Sequence, residues 1–220
     1  MLERPLRLHL GCGEKYLEGY VNIDYPPDEH SVQVSSPADV YADITELSYE
    51  PSSVAEVRLH HVFEHFDRVT ALRLLIDWYA WLEEGGILTI ETPDFEASVR
   101  RFLKRRSWSH RGEIVRHIFG SQEAAWAFHA DGWYEDKFRE VLEGLGYELT
   151  RVERASWRAT DNITIVARKP SPPWLSREAL IERAGKILAL AMIDQSESEV
   201  RLHGVWLRSL GKRGTPDDPP

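Results

Sequence analysis

Leu6 to Leu10 is a short apolar run that passes straight into Gly11-Cys12-Gly13, and Tyr20 to Asp24 is a second run closed by an acid. The first is the pattern of a buried strand entering a tight turn. Pro26 and Pro27 stop the second from continuing regularly. Residues 28 to 38 are polar and irregular, Asp39 to Ile44 reads as a third short strand, and Glu56 to His60 as a fourth. From Val69 to Leu82, the residues Leu72, Leu75, Ile76, Tyr79 and Leu82 recur at helical spacing, and Gly85-Gly86 is the expected C-cap. Ile87 to Glu91 is then a fifth strand stopped by Pro93, with a further helix over Phe95 to Lys104.

The pattern weakens between Ser107 and Gly132, which reads as an insertion (about residues 105–133) over the mouth of a site. Glu135 to Leu145 is a helix capped by Gly146, and Tyr147 to Glu153 with Asn162 to Arg168 forms a terminal hairpin. This alternation predicts an α/β domain over residues 1–169, with a mainly parallel sheet and an antiparallel C-terminal edge. Pro170-Ser171-Pro172-Pro173 marks a boundary. Beyond it lies a helical appendage, 174–211, with amphipathic helices over Arg177 to Ile193 and Glu197 to Leu210. Their apolar stripes suit packing against the core or a homodimer contact. Residues 212–220 read as a disordered tail.

The formal charge of −9 argues against nucleic acid as a partner, since phosphate contacts need a basic surface. The exception is the run Arg100, Arg101, Lys104, Arg105 and Arg106, which is either a solvated helix end or a site for an anionic acceptor. A single cysteine, Cys12, excludes an intrachain disulfide and a multi-cysteine zinc site. With no apolar signal core and no stretch long enough to span a membrane, a cytoplasmic location is expected.

Four features then follow in order: a glycine turn after the first strand, an acid after the second, an acid near the third, and a loop after the fourth. Gly11 and Gly13 let the backbone approach a ligand at the carboxyl edge of the sheet, where open α/β sheets bind. Asp24 can accept from both hydroxyls of a ribose, Asp43 from an adenine amino group, and Ile44 offers the ring an apolar surface. Cys12, Lys15, Tyr25 and His60 fall on the same expected wall. Taken singly, each could serve only a turn or a loop; their order points to a cofactor.

Leu8-His9-Leu10-Gly11-Cys12-Gly13 and Val21-Asn22-Ile23-Asp24 resemble class I S-adenosylmethionine-dependent methyltransferases. His60-His61-Val62-Phe63-Glu64-His65-Phe66 is similar to their loop after strand four, and Gly85-Gly86-Ile87-Leu88 with Pro93-Asp94-Phe95-Glu96 to their fifth-strand region. The likeness is greatest to a bacterial branch associated with polysaccharide and surface-glycan biosynthesis, and it continues through Ile118-Phe119-Gly120-Ser121-Gln122 and Phe128-His129. It covers about residues 6 to 168. It implies a Rossmann-like methyltransferase sheet, S-adenosylmethionine as methyl donor and S-adenosylhomocysteine as product. One departure from the broad class is that only Glu14 to Val21 separate the glycine turn from the acid-bearing strand. A helix N-terminus is then missing from the cofactor site, and Lys15 and Tyr16 are the candidates for the methionyl portion.

Methyl transfer from a sulfonium needs an aligned nucleophile and excluded water. A hydroxyl acceptor must also lose a proton, and a neutral imidazole suits that task. His129 is the first candidate base and His61 the second; either could equally be a hydrogen-bonded loop residue. Glu64, Asp94, Gln122, Trp126 and Trp133 are candidates for the acceptor side. Eight tryptophans are many for 220 residues, and flat aromatic faces stack on sugar rings, although Trp108, Trp126, Trp133 and Trp157 could instead pack the insertion. His60, His61 and His65 do not reproduce a zinc spacing, and no metal site is assigned. A divalent metal shared with Asp94 is compatible with the sequence without being indicated by it. The expected activity is O-methylation of a saccharide hydroxyl. The alternatives are a carboxylate, amine or lipid-linked acceptor, or a non-catalytic assembly protein that keeps the cofactor site.

Overall fold

The computed structural model of the chain describes residues 5–26, 35–105, 107–172 and 175–211. Leu6–Leu10 forms β1, Val21–Asp24 β2, Val40–Tyr41 β3, Val54–His60 β4 and Leu82–Pro93 β5, with Glu148–Trp157 as β6 and Thr160–Arg168 as β7. All seven lie in one sheet, in the order β3-β2-β1-β4-β5-β7-β6. Strands β1 to β5 pair in parallel, and β7 is the reversed strand, antiparallel to β5 and to the outermost β6. The chain runs outward from β1 to β3 and then returns to β4 on the other side of β1. Such a reversal leaves a crevice at the carboxyl ends of β1 and β4.

Arg68–Trp81 is α1, Phe95–Lys104 α2, Trp108–Phe119 α3, Glu135–Gly144 α4, Arg177–Ala189 α5 and Glu197–Gly211 α6. Asp67 starts α1 by accepting from the amides of Val69 and Thr70. Leu74 and Trp78 of α1 are buried as fully as Leu72 and Leu75, so the helix is apolar on more than one side. A helix of that kind must be covered on both faces. The sheet covers one face, and α5 and α6 pack on α1 as well. Leu180, Ala184, Leu188 and Leu210 thereby join the single core. Among the described residues, no helix is long and apolar enough to cross a membrane.

Several expectations are corrected. Gly85-Gly86 does not cap α1, because β5 already begins at Leu82. While β4 advances from Val54 to Glu56, β5 advances from Leu82 to Ile87, so the glycines lie in a bulge. Gly85 there takes a φ of +77° and its amide donates to the Lys169 carbonyl. The expected third strand shrinks to two residues, and the hairpin strands extend to Trp157 and Thr160. The weakly patterned insertion holds a full helix, α3, of which Ile114 is the one residue whose burial is complete. A helix lying on the surface by one apolar contact has no stripe to read.

The basic run divides. Arg101 clamps Asp161 through two nitrogens and Arg100 pairs with Glu96, so both are tied into the fold. Arg106, residues 27–34, Pro173, Trp174 and the tail from 212 lie outside the described residues.

Parallel neighbours usually need a crossover of a dozen or more residues. Here residues 11–20 join β1 to β2 without a helix. The buried Asn22 side chain replaces it: its Oδ1 accepts from Leu17 N at 2.9 Å, and its Nδ2 donates to Leu17 O at 3.0 Å and Tyr20 O at 3.2 Å. Asn22→Leu is therefore expected to lower stability by about 2–4 kcal/mol, because several buried polar groups lose their partner together. Equilibrium urea unfolding reads this directly; a change within experimental error would mean the loop holds itself.

Candidate active site

A cavity of about 700 Å³ opens at the carboxyl ends of β1, β2 and β4. Its size is that of a small-molecule site. Gly11, Cys12, Gly13 and Lys15 line one side, Asp24, Tyr25, Asp43 and Ile44 the next, and His60 and His61 the base, with Trp126 at the rim. Of the residues expected to hold a cofactor, all but Tyr16 are thus brought to one space. The Tyr16 hydroxyl donates to Asp39 instead.

The two glycines of the turn have different tasks. A Cβ on Gly11 would stand 2.2 Å from Val62 Cγ2, so this glycine makes room for the loop after β4. A Cβ on Gly13 would meet nothing within 4 Å, and its backbone faces open space. Both have positive φ, +66° and +55°. The Cys12 thiol is buried, and that burial raises its pKa, which disfavours a reactive thiolate.

The acids are held before any ligand arrives. Asp24 Oδ1 accepts from the Tyr25 amide at 2.9 Å and Oδ2 from the Ser36 hydroxyl at 3.2 Å. Asp43 caps a single helical turn, Ile44–Glu46, by accepting from Thr45 N and Thr45 Oγ1, both at 2.7 Å. The Tyr25 hydroxyl reaches Asp43 Oδ2 at 3.0 Å and so ties the two acids' strand ends together. Asp43 Oδ1 is filled by its two Thr45 bonds, and Oδ2, bonded to the Tyr25 hydroxyl, is the oxygen that can accept another donor.

The adjacent histidines after β4 carry opposite charge states. His60 is half-buried beside His9, and Arg58 donates to its Nε2 at 3.3 Å. Burial first, then the positive charges of Lys15 and Arg58, lower its pKa to about 4, so it is neutral. His61 adopts a φ of +53° and points between two carboxylates: Nδ1 lies 3.2 Å from Glu64 Oε1 and Nε2 3.5 Å from Glu91 Oε1. Burial opposes its charge, but hydrogen bonds to Glu64 and Glu91 outweigh it and raise the pKa to about 10. The His61 bond holds Glu91 down at about 2. An imidazolium cannot take a proton, so His61 as a base is corrected to a fixed cation.

At the acceptor side the structure re-sorts the candidates. Glu64 is 2% exposed and His129, half-buried, places Nε2 3.9 Å from Glu64 Oε1. Burial lowers the His129 pKa, which favours the neutral ring. His129 stands behind His65, and it is His65 that lines the cavity. Its ring meets that of His129 edge-to-face at 4.9 Å. Trp133 is corrected: it is 2% exposed and stacks on Phe138 in the core, outside the lining of the main cavity. Asp94 is corrected as well, since it is buried, caps α2 through Ala97 N and pairs with Arg154. Gln122 is exposed outside the cavity lining, whereas its neighbour Glu123 lines it. Sequence reasoning missed Val62, Phe66, Thr70 and Glu123 as lining residues and undervalued His65. Spacing alone did not single them out.

The strand order with one reversed strand beside the edge defines a Rossmann-like methyltransferase sheet. The chain is similar to an S-adenosylmethionine-dependent methyltransferase from Methanosarcina mazei, at 16% identity and a TM-score of 0.51, over 77% of this chain and 94% of that one. It is also similar to a chain in the Haloferax volcanii complex of the Trm112 methyltransferase activator (14%, TM-score 0.54, 79% and 85%). A Mesorhizobium loti S-adenosylmethionine-dependent methyltransferase gives 13%, a TM-score of 0.50, and coverages of 74% and 90%. No family model matches the sequence, and no curated protein matches it significantly. At 13–16% identity, what these structures share with the chain is the fold.

The Gly11–Val62 approach yields a specific outcome. Gly11→Ala should destabilise the chain by about 1–3 kcal/mol through overpacking at a positive φ. Adding Val62→Ala should recover part of that loss, leaving the backbone strain. Thermal unfolding of the two variants checks it; equal destabilisation with and without Val62 would mean the methyl contact is immaterial.

Proposed function

We propose that the chain transfers the methyl group of S-adenosylmethionine to a saccharide hydroxyl. The observation that carries the donor half is the pair of pre-set carboxylates, Asp24 and Asp43, facing one cavity with Gly13 and Ile44. Asp24 accepts from the ribose hydroxyls, Asp43 from the adenine amino group, and the buried Ile44 supplies the apolar wall for the ring. Exposed Lys15, next to the glycine turn, suits the methionyl carboxylate. Glu14, Asp67 and Glu123 also line the space, and this acidic lining favours a ligand with a sulfonium cation.

The acceptor half is supported by Trp126 at the rim, a flat face suited to a sugar ring. In the transfer, an acceptor oxygen forms a bond to the methyl carbon as the carbon–sulfur bond breaks, leaving S-adenosylhomocysteine. The acceptor proton leaves at the corner of Glu64, His65 and His129, of which His65 lines the cavity. His61 keeps a positive charge beside that corner and orients Glu64.

Asp24→Ala should weaken S-adenosylhomocysteine binding by at least tenfold, the loss of hydrogen bonds to a charged group of about 1.5–3 kcal/mol. Calorimetry measures it; an unchanged affinity would remove the ribose assignment. Trp126→Ala and His129→Ala should leave that affinity within a few-fold while reducing transfer of labelled methyl to a sugar acceptor by about 100-fold. Full turnover in both variants would sink the acceptor assignment and leave the donor site standing.

A further inference from the structure

We propose that Glu64, His65 and His129 form a binding site for a divalent transition-metal ion of the zinc class. One ligand atom from each of the three lies within 4.8 Å of the others. The arrangement is two imidazoles and one carboxylate, a donor set that zinc and its neighbours accept.

The hydrogen bonding around the corner favours a cation between these groups. His65 Nδ1 lies 3.0 Å from the Phe128 carbonyl, an atom that can only accept, so the ring proton sits on Nδ1 and the Nε2 lone pair is free. The His129 ring likewise bonds the Ile118 carbonyl, and its Nε2 faces Glu64. Glu64 Oε2 is buried and has no hydrogen-bond partner among the described residues. Two imidazole lone pairs therefore converge on the Glu64 carboxylate, whose Oε1 accepts from His61 while Oε2 is left without a donor. Acceptors meeting in a buried corner repel one another unless something positive lies between them. Backbone carbonyls holding the remote nitrogen of each histidine are also the usual outer support of a metal-ligating imidazole.

The corner is built rather than incidental. The Glu64 carbonyl accepts from Ala130 N at 2.8 Å, which fixes the segment carrying His129 against the loop carrying Glu64 and His65. His65 lines the main cavity, so open coordination positions would face the acceptor. The site itself stands on this geometry; its role deepens, and rests on, the methyltransferase reading. An acceptor hydroxyl taken as a further ligand would ionise more readily, and with the ion bound its proton would leave that corner through water, so the turnover lost in His129→Ala would be the loss of a ligand.

The test uses the untagged full chain, stripped with a chelator and titrated with Zn²⁺ by calorimetry and with Co²⁺ by visible absorption. One equivalent should bind, with a d–d band in the Co²⁺ form. His65→Ala and His129→Ala should each weaken binding by at least about 100-fold, since even outer-shell partners cost 10–100-fold. His110→Ala, on exposed α3, should leave it unchanged. Glu64→Gln tests the carboxylate, and the two histidine variants keep the test decisive if that variant does not fold. Absence of stoichiometric binding, or binding retained in both histidine variants, overturns the site. S-adenosylhomocysteine affinity of the stripped protein, measured in parallel, tells that failure apart from failure of the donor site.

Discussion

The link between β1 and β2 is too short for a helix, and the cofactor side depends on how that shortness is absorbed. Asn22 sits mid-β2 with its side chain aimed back under the loop, where it substitutes for backbone hydrogen bonds that a helix would have made. His9 of β1 contacts the same carboxamide at 3.0 Å, so the two neighbouring strands are also joined below the site. Cys12 N reaches Ile23 O at 3.0 Å and carries the sheet pairing one step beyond β1. Gly13 and Asp24 face the same space because these bonds prevent the loop from drifting. The cost is electrostatic: no helix N-terminus points into the cavity, and the positive charge it would have lent must come from side chains such as Lys15.

The end of β4 sets two adjacent histidines in different surroundings. His60 is the last residue of β4 and lies near Arg58, Lys15 and Glu91, while the left-handed backbone at His61 turns its ring between Glu64 and Glu91. Identical side chains one position apart are therefore shifted in opposite directions, His60 down by burial and nearby cations and His61 up by its two carboxylates. The left-handed backbone at His61 is a conformation that histidine tolerates better than most residues. The two ion pairs offset whatever strain it retains. His61 thus links the loop after β4 to strand β5 through Glu91, and it does so at the base of the cavity.

Much of the lining of the main cavity was legible because its residues are local events: a glycine or an acid at the end of an apolar run marks a strand end, and strand ends in an open α/β sheet face the crevice. Asp24, Asp43 and Ile44 were found that way. Trp133 was misread because an aromatic in a poorly patterned segment gives no sign of which way it faces, and here it turns inward onto Phe63 and Phe138. Asp94 was misread because an acid after a strand can also cap the next helix, which is what it does. The Glu64–His65–His129 corner was illegible for a different reason. Glu64 and His65 are adjacent, but His129 lies sixty-four residues beyond His65, and only the packing of the insertion brings it to them. Gly85-Gly86 copied the signature of a helix stop because a bulge and a cap ask for the same residue.

That packing explains how a surface insertion can be held firmly enough to form this corner. Phe63, fully buried, immediately precedes Glu64 and lies 4.7 Å from Trp133 between ring centres. Trp133 in turn accepts from the Phe95 amide through its carbonyl, which ties the end of the insertion to the start of α2. The Glu64 backbone then holds Ala130 directly. One aromatic cluster thus anchors both halves of the corner from below, one residue away from Glu64 and four from His129. A site supported in this way needs little reorganisation when a ligand arrives, since the groups that position its side chains are themselves locked in the core.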